Sequence, residues 1–171
     1  MTSAAESFPL SFRLGTPADY PSVLDIQYRA YRQKEMPLYG PSIPPLAETV
    51  ETLAAEIAGG KHLLVGENNG RIVASLRMKT LDDGAMYWGR LSVDPDLQGR
   101  GIGQRMALAV EQFCPATASL VLDCGEKSDE NMHIYTKIGY NVTGESFQVP
   151  DGPKVLVMRK NRSLDNGRST S

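Results

Sequence analysis

A glycine-rich segment lies between a strand-like run and an amphipathic helical pattern near the middle of the chain. The segment Gln98–Gly103 (QGRGIG) follows the apolar run Ala85–Val93 after the turn Asp94-Pro95. Beyond it, apolar residues recur with the spacing of one helix face at Ile102, Met106, Ala109, Val110 and Phe113. When a glycine loop connects a strand to a helix, the free backbone N–H groups of the loop and the positive end of the helix dipole both point toward the start of the helix. The pattern therefore predicts a site for an anion such as a phosphate.

Two common phosphate-binding motifs do not match this loop. A nucleoside-triphosphate loop ends in Gly-Lys-Ser/Thr, whereas Gly103 is followed by Gln104-Arg105. A dinucleotide fingerprint that starts at Gly101 requires a glycine where Met106 stands. The glycines taken alone leave two interpretations open, an anion site or only a tight turn into the helix.

The whole pattern predicts a mixed α/β domain with the order β-α-α-β-β-β-α-β-α-β-β. Strand-like runs bounded by turn residues are Leu10–Leu14, His62–Glu67, Arg71–Thr80, Ala85–Val93, Leu120–Cys124, Tyr140–Val149 and Lys154–Arg159. Helical patterns cover Pro17–Lys34, Leu46–Ala58, the segment from Ile102 to Pro115 and Glu130–Ile138, and prolines in Met36–Pro45 forbid one continuous helix between the first two. Because a helix connects Ala85–Val93 to Leu120–Cys124, we expect these strands to be parallel in an otherwise antiparallel sheet.

Length and charge indicate one ordinary globular domain. In 171 residues we expect a flexible arm at 1–9, a domain at 10–160 and a disordered tail at 161–171. The formal charge of −2 without a basic cluster argues against nucleic-acid binding. The sequence has neither a long apolar run nor an export signal, so we expect no membrane partner and a cytoplasmic location. The cysteines and histidines lack metal-ligand spacing, which predicts no metal site: Cys114, Cys124, His62 and His133.

A second motif follows the amphipathic helix by one strand and one loop. Residues 131–140 read NMHIYTKIGY, which is similar to the pattern Asn-x-x-x-Tyr-x-Lys-x-Gly-Phe/Tyr. In the glycine loop, Gln98, Gly101 and Gly103 match the pattern Gln/Arg-x-x-Gly-x-Gly/Ala. Both patterns are typical of the GCN5-related N-acetyltransferase (GNAT) superfamily, which the chain resembles from about Ser11 to Lys160 and most strongly from Leu91 to Tyr140.

The resemblance implies an N-acetyltransferase that transfers an acetyl group from acetyl-coenzyme A to a primary amine by direct attack in a ternary complex. It implies cofactor contacts at Leu91, Val93, Gln98, Gly99, Arg100, Gly101, Ile102, Gly103, Asn131 and Tyr135. Main-chain N–H groups of Leu91 and Val93 would bind the pantetheine arm where the two parallel strands splay apart. By the same resemblance, Asn131 hydrogen-bonds the pantetheine and Tyr135 protonates the departing thiolate.

The proton acceptor is where the chain departs from the family. At pH 7 an alkylamine is deprotonated in only about one molecule in two thousand, so a base must take its proton. Many family members use a glutamate on the strand before the loop, but Ala85–Val93 contains no carboxylate. We expect Asp123 and Glu126, at the end of the next strand, to substitute for it. For each, a solvated loop charge is the alternative interpretation.

The resemblance implies that the first helix and the proline-rich loop line the acceptor site. Rings beside carboxylates attract a cationic amine, and the candidates are Tyr28, Tyr31, Glu35, Tyr39 and Trp88. The alternative is that these aromatic residues pack against the sheet. The expected partner is a small-molecule or peptide amine, and the final strand or Leu46–Ala58 suits a homodimer. A second hypothesis is a coenzyme A-binding sensor without turnover, which the absent strand glutamate favours.

Overall fold

The strand-like runs pair into one seven-stranded sheet in a computed structural model that describes residues 8–162. The strands are β1 (Ser11–Leu14), β2 (His62–Asn68), β3 (Arg71–Thr80), β4 (Met86–Val93), β5 (Leu120–Gly125), β6 (Asn141–Gln148) and β7 (Lys154–Lys160). Their order in the sheet is β1-β2-β3-β4-β5-β7-β6, and β4 with β5 is the parallel pair among the described residues. The predicted mixed sheet is therefore confirmed. Of the arm predicted at 1–9 and the tail predicted at 161–171, residues 1–7 and 163–171 lie outside the described residues.

Five α-helices connect the strands of the described chain. They are α1 (Tyr20–Lys34), α2 (Met36–Tyr39), α3 (Val50–Ala58), α4 (Ile102–Ala109) and α5 (Asp129–Lys137). None of the helices between residues 8 and 162 has the length and apolar character needed to span a bilayer.

Prolines account for the main differences from the predicted helices. Pro17–Asp19 forms a separate 3-10 turn before α1, and Pro44–Leu46 forms another before α3. The predicted helix over Leu46–Ala58 therefore begins only at Val50, after the N-cap Thr49, whose hydroxyl accepts a hydrogen bond from the Thr52 N–H at 3.2 Å. The expected interruption over Met36–Pro45 contains the short helix α2, because proline is tolerated in a first helical turn.

Helices cover both faces of the sheet, and strand alternation decides which side chain faces which layer. On β2, Leu64 packs in a large core cluster with residues of α4 and α5, whereas Leu63 and Val65 pack against α1 and α3. The cluster under α4 and α5 also contains Trp88 and Leu120 of the central strands. This arrangement fixes β4 and β5 at the centre of the molecule, with the end of α1 crossing above them.

Candidate active site

The glycine loop turns the chain from β4 into α4 through two residues in the left-handed region. Gly99 has φ 80° and Gly101 has φ 70°, conformations that favour glycine. Gly101 is the N-cap of α4, and the Arg105 N–H donates to its carbonyl at 3.0 Å. This is the first hydrogen bond of α4, so the N–H groups that come before Arg105 in the first turn have no acceptor within the helix. An added Cβ at either glycine would meet no atom within 4 Å, so open space adjoins this backbone.

A β-bulge interrupts β4 just before the loop. The pairing of β3 with β4 shifts register between Ser75 and Arg77, opposite Arg90. Arg90 has φ 59°, which is uncommon for a residue with a side chain. A bulge of this kind bends a strand and changes which side its later N–H groups face.

Beyond the bulge, β4 separates from its parallel neighbour. Pairing with β5 covers only Met86 and Tyr87. The Asp94 N–H, at the end of β4, donates to β3 at 2.8 Å. Because successive N–H groups of a strand point to opposite sides, those of Leu91 and Val93 face the gap that β5 leaves. The predicted splay of the parallel pair is thus present, and among residues 8–162 β5 does not pair with the N–H groups of Leu91 and Val93.

A cavity of about 340 Å³, here called the loop cavity, lies between the glycine loop, the end of β4, α1 and the start of α5. The predicted cofactor residues that line it are Leu91, Val93, Gln98, Gly99, Arg100, Gly101, Ile102, Gly103 and Asn131. Lys34 also lines it and forms an ion pair with Glu130. The loop cavity thus combines free N–H groups, the cations of Arg100 and Lys34, and apolar walls. These features fit a ligand that joins phosphates to an uncharged arm, as coenzyme A does.

A second cavity of about 260 Å³, here called the tyrosine cavity, is lined by Tyr31, Tyr39 and Tyr87 on the other side of the bulge. Tyr31 and Glu35 of α1 line both cavities. Burial raises the pKa of Tyr31 to about 12, so its phenol is neutral at physiological pH. The two cavities therefore meet at the end of α1, above the gap between β4 and β5.

Two carboxylates stand at this meeting point or beside it. Glu35 accepts a hydrogen bond from the Ser128 hydroxyl at 2.9 Å, and Ser128 in turn lies 2.8 Å from the hydroxyl of Tyr39. Asp123 of β5 lines the tyrosine cavity and accepts a hydrogen bond from Tyr87 at 2.8 Å. Burial raises the pKa of both carboxyls above their usual values, an effect that the hydrogen bonds partly offset. Each is accordingly closer to the range of a general base at neutral pH.

Tyr135 lies in an aromatic cluster beneath the site. Its ring packs edge-on against Trp88 at 5.6 Å and Tyr140 at 6.2 Å between centroids. Burial raises its pKa well above the usual value, and the nearby groups of Tyr31 and Glu35 add to the effect. Tyr135 is buried and lines neither cavity, whereas Asn131, one helical turn earlier, lines the loop cavity.

Three of the predicted side chains lie elsewhere. Trp88 is only 1% exposed and donates its indole N–H to Tyr140 at 2.8 Å, which corrects the expectation that it lines the acceptor cleft. Strand alternation is the reason, because its neighbour Tyr87 takes the cavity-facing position. Tyr28 donates to the carbonyl of Glu48 and packs beside the α1–α3 cluster, and it lines neither cavity. Glu126 is exposed and also lines neither cavity.

Several residues that line the tyrosine cavity are not predicted by the sequence analysis. Tyr87, Arg77 and Arg90 all line the tyrosine cavity, and Arg77 forms an ion pair with the buried Glu48 at 2.7 Å. The sequence does carry a signal for Arg77, because it is the one cation in the segment 72–78 of β3, where the other residues are small or apolar. No local signal marks Arg90 or Glu48, whose proximity arises from the β-bulge and the loop before α3.

Comparison with known proteins agrees with this geometry. The model of the acetyltransferase (GNAT) family matches residues 21–140. The fold is similar to the PaiA N-acetyltransferase from Thermoplasma acidophilum in complex with coenzyme A, with TM-score 0.72 and 16% identity over 90% of this chain and 99% of that one. It is also similar to the ribosomal-protein-S18-alanine N-acetyltransferase from Escherichia coli, with TM-score 0.70 and 18% identity over 91% and 96% of the two chains.

A third similar structure is yncA from Salmonella typhimurium with its cofactor acetyl-CoA, with TM-score 0.64 and 15% identity over 91% of this chain and 95% of that one. Identities this low establish a shared fold and no more. The chain matches no curated protein in sequence.

Proposed function

We propose that this chain, which belongs to the acetyltransferase (GNAT) family, transfers an acetyl group from acetyl-coenzyme A to a primary amine by direct attack in a ternary complex. The observation that carries the proposal is the meeting of the loop cavity and the tyrosine cavity at Tyr31 and Glu35. One cavity suits the cofactor and the other an acceptor, and Tyr31 and Glu35 line both of them. Direct transfer requires such a junction, because both reactants must be present together.

Acetyl-coenzyme A, the cofactor of this family, supplies an activated acetyl thioester when bound. Backbone N–H groups of the glycine loop would hold its pyrophosphate at the start of α4. The unpaired N–H groups of Leu91 and Val93 would hold the pantetheine arm and orient the thioester carbonyl. Asn131 lines the same cavity and offers a side-chain amide to the arm.

We assign the proton acceptor to Glu35, with Asp123 as the competing carboxylate. Glu35 lines both cavities and is oriented by the Ser128 hydroxyl. Its raised pKa brings it nearer to the operating pH, which is favourable for a general base. Asp123 lines the tyrosine cavity only. Glu126, exposed and away from both cavities, receives no role here.

The departing thiolate needs little help. A thiol with a pKa of about 8.5 is already a fair leaving group, so a nearby acid assists without being indispensable. The buried Tyr135 remains protonated at neutral pH because its pKa is raised. It is the proposed donor, and the amine proton taken by the base balances the one that the sulfur receives.

An amine panel tests the proposal. Purified protein is mixed with acetyl-coenzyme A and one amine at a time, and free thiol release and acetylated product are followed together. Ternary-complex transfer predicts intersecting initial-velocity lines when both substrates are varied, whereas a covalent acetyl-enzyme predicts parallel lines. Coenzyme A binding without thiol release for any amine would reject the enzyme and favour the sensor hypothesis.

A further inference from the structure

The wall of the tyrosine cavity contains a guanidinium whose donors are largely unused. Arg77 is only 4% exposed and donates from Nη2 to Glu48 at 2.7 Å. Its Nε and Nη1 atoms are buried and have no hydrogen-bond partner among residues 8–162. Buried guanidinium donors without acceptors are unfavourable. Arg77 lines the cavity, so a ligand there with negatively charged oxygens is the natural source of an acceptor.

A second guanidinium stands beside it with even fewer contacts. Arg90, at the β-bulge, lies 3.6 Å from Glu48, too far for a hydrogen bond, and its side chain is 25% exposed in the same cavity. Within the described chain its guanidinium donates no side-chain hydrogen bond. Glu48 is already shared, because Gln27 also donates to it at 3.0 Å. One carboxylate therefore faces two arginines.

The local charge count leaves one positive charge unbalanced. The other carboxylate near Arg77 is Glu56, which pairs with Lys61 at 3.2 Å. The group around Arg77 therefore holds three cations, Arg77, Arg90 and Lys61, and two carboxylates, Glu48 and Glu56. The other two carboxylates that line the cavity, Glu35 and Asp123, lie on α1 and β5. An anionic group of a ligand would balance this charge and accept from both guanidinium groups, which suits a carboxylate.

Negative charge lies on the other side of the same cavity. Glu35 and Asp123 accept hydrogen bonds from the neutral hydroxyls of Ser128 and Tyr87, and neither forms an ion pair with another residue described by the structure. Arg77 and Arg90 belong to β3 and β4, whereas Asp123 belongs to β5. The cavity is therefore cationic toward β3 and anionic toward β5 and α1, which matches a ligand with one charge of each sign.

We propose that the acceptor is an amino acid, a primary amine that also carries a carboxylate, with the carboxylate held by Arg90 and Arg77 and the amine directed to Glu35 and Asp123. This inference rests on the proposed acetyltransferase function and narrows its substrate class. The cavity, at about 260 Å³, lies just below the range of drug-sized ligand sites, so it suits a small molecule.

The reaction is balanced with this acceptor. The amine nitrogen forms a bond to the acetyl carbonyl carbon, and the bond between that carbon and sulfur breaks. The ammonium gives one proton to the carboxylate base before it attacks, and the nitrogen loses a second as the C–S bond breaks. The sulfur takes one proton through Tyr135 or solvent, and the other is released to solvent. The products are an N-acetyl amino acid and coenzyme A.

The test compares amino acids with their own primary amides, which keep the size and the amine but lack the carboxylate. Alanine, methionine and phenylalanine are each compared with the matching amide. The expected kcat/KM is higher for the acid than for the amide by about tenfold or more, as for a charged hydrogen-bonded partner. Equal or greater kcat/KM for the amides would overturn the inference and leave the acetyltransferase function intact.

Arg90→Gln is the diagnostic variant, because truncating Arg77 would leave Glu48 as an uncompensated buried charge. We expect Arg90→Gln to lower the acid-to-amide ratio by about tenfold or more while activity with the amide persists. The matched control is Lys79→Gln, which removes an exposed cation at the rim of the same cavity. An equal loss for acid and amide in Arg90→Gln, or the same change in Lys79→Gln, would reject the carboxylate site.

A binding measurement separates this inference from the proposed function. Each acid and amide is titrated calorimetrically into the protein with saturating coenzyme A, which has no acetyl group to transfer. Tighter binding of the acid, lost in Arg90→Gln, supports the carboxylate site even if no acetyl transfer is observed. Absence of binding for every acid, combined with acetyl transfer to other amines, rejects the site and retains the enzyme.

Discussion

The glycine at the N-cap of α4 allows the anion site to be tested apart from the fold. Gly101 has φ 70°, is exposed, and has open space where a Cβ would lie. Gly101→Asp and Gly101→Asn therefore create no clash, and both bear the same cost of a left-handed residue. That cost is about 1 kcal/mol, which lowers the Tm of a chain of this size by about 2–4 °C. The two variants differ in charge and hardly in shape.

The difference between these variants measures the electrostatic part of cofactor binding. Two like unit charges about 5 Å apart repel by about 1–3 kcal/mol for effective dielectric constants between about 80 and 20. Coenzyme A should therefore bind Gly101→Asp about five- to 150-fold more weakly than Gly101→Asn. Calorimetric titration of the two variants at the same ionic strength measures this ratio, and added salt should reduce it.

Two results would refute this reasoning. Equal coenzyme A affinity in the two variants would mean that no phosphate approaches the N-cap of α4. A fall in Tm well beyond a few degrees in Gly101→Asn would mean that the glycine supports the fold rather than the site. Gly103→Ala provides the internal control, because its added Cβ would make ordinary contacts of 3.7 Å and 3.8 Å with Val93 and Leu91. It should retain both stability and binding.

Three further predictions concern the reacting groups and the core beneath them. Glu35→Gln should lower kcat strongly and remove the fall in rate at acidic pH, because a base with a raised pKa is active only above that pKa. If Asp123→Asn lowers kcat in this way and Glu35→Gln does not, the general base is Asp123. Tyr135→Phe should lower kcat far more than coenzyme A affinity, and an unchanged kcat would remove its role as acid. Trp88→Phe should lower stability by about 1–3 kcal/mol in a denaturant titration, because it leaves the buried Tyr140 hydroxyl without its donor; unchanged stability would contradict this.

Local patterns are sufficient to predict the elements that surround the loop cavity. The run from β4 through the glycine loop into α4 is contiguous, so the residues that build it are neighbours in sequence. Positive φ at Gly99 and Gly101 and the parallel pairing of β4 with β5 both follow from that order. Asn131 also lines the loop cavity, and its hydrogen bond to the cofactor stays a prediction.

The lining of the tyrosine cavity is harder to predict from the sequence because it depends on which face of a strand each side chain occupies. Trp88 and Tyr87 are adjacent aromatic residues, and periodicity in so short a run does not tell which one faces the core. The bulge at Arg90 further breaks the alternation along β4. Charged residues at the tyrosine cavity come from separate elements, so no spacing in the chain relates Arg77 to Glu48 or to Asp123.

The amino-acid sequence by itself determined the glycine loop, the order of elements and the family pattern, because each single element or motif depends on residues that are close together in the chain. Tertiary structure alone decided that Tyr31 and Glu35 join two cavities and that Arg77 and Arg90 share Glu48. Those contacts depend on how the end of α1 crosses the sheet and on one extra residue in β4. Side-chain proximity across elements is set by packing, which local sequence patterns do not encode.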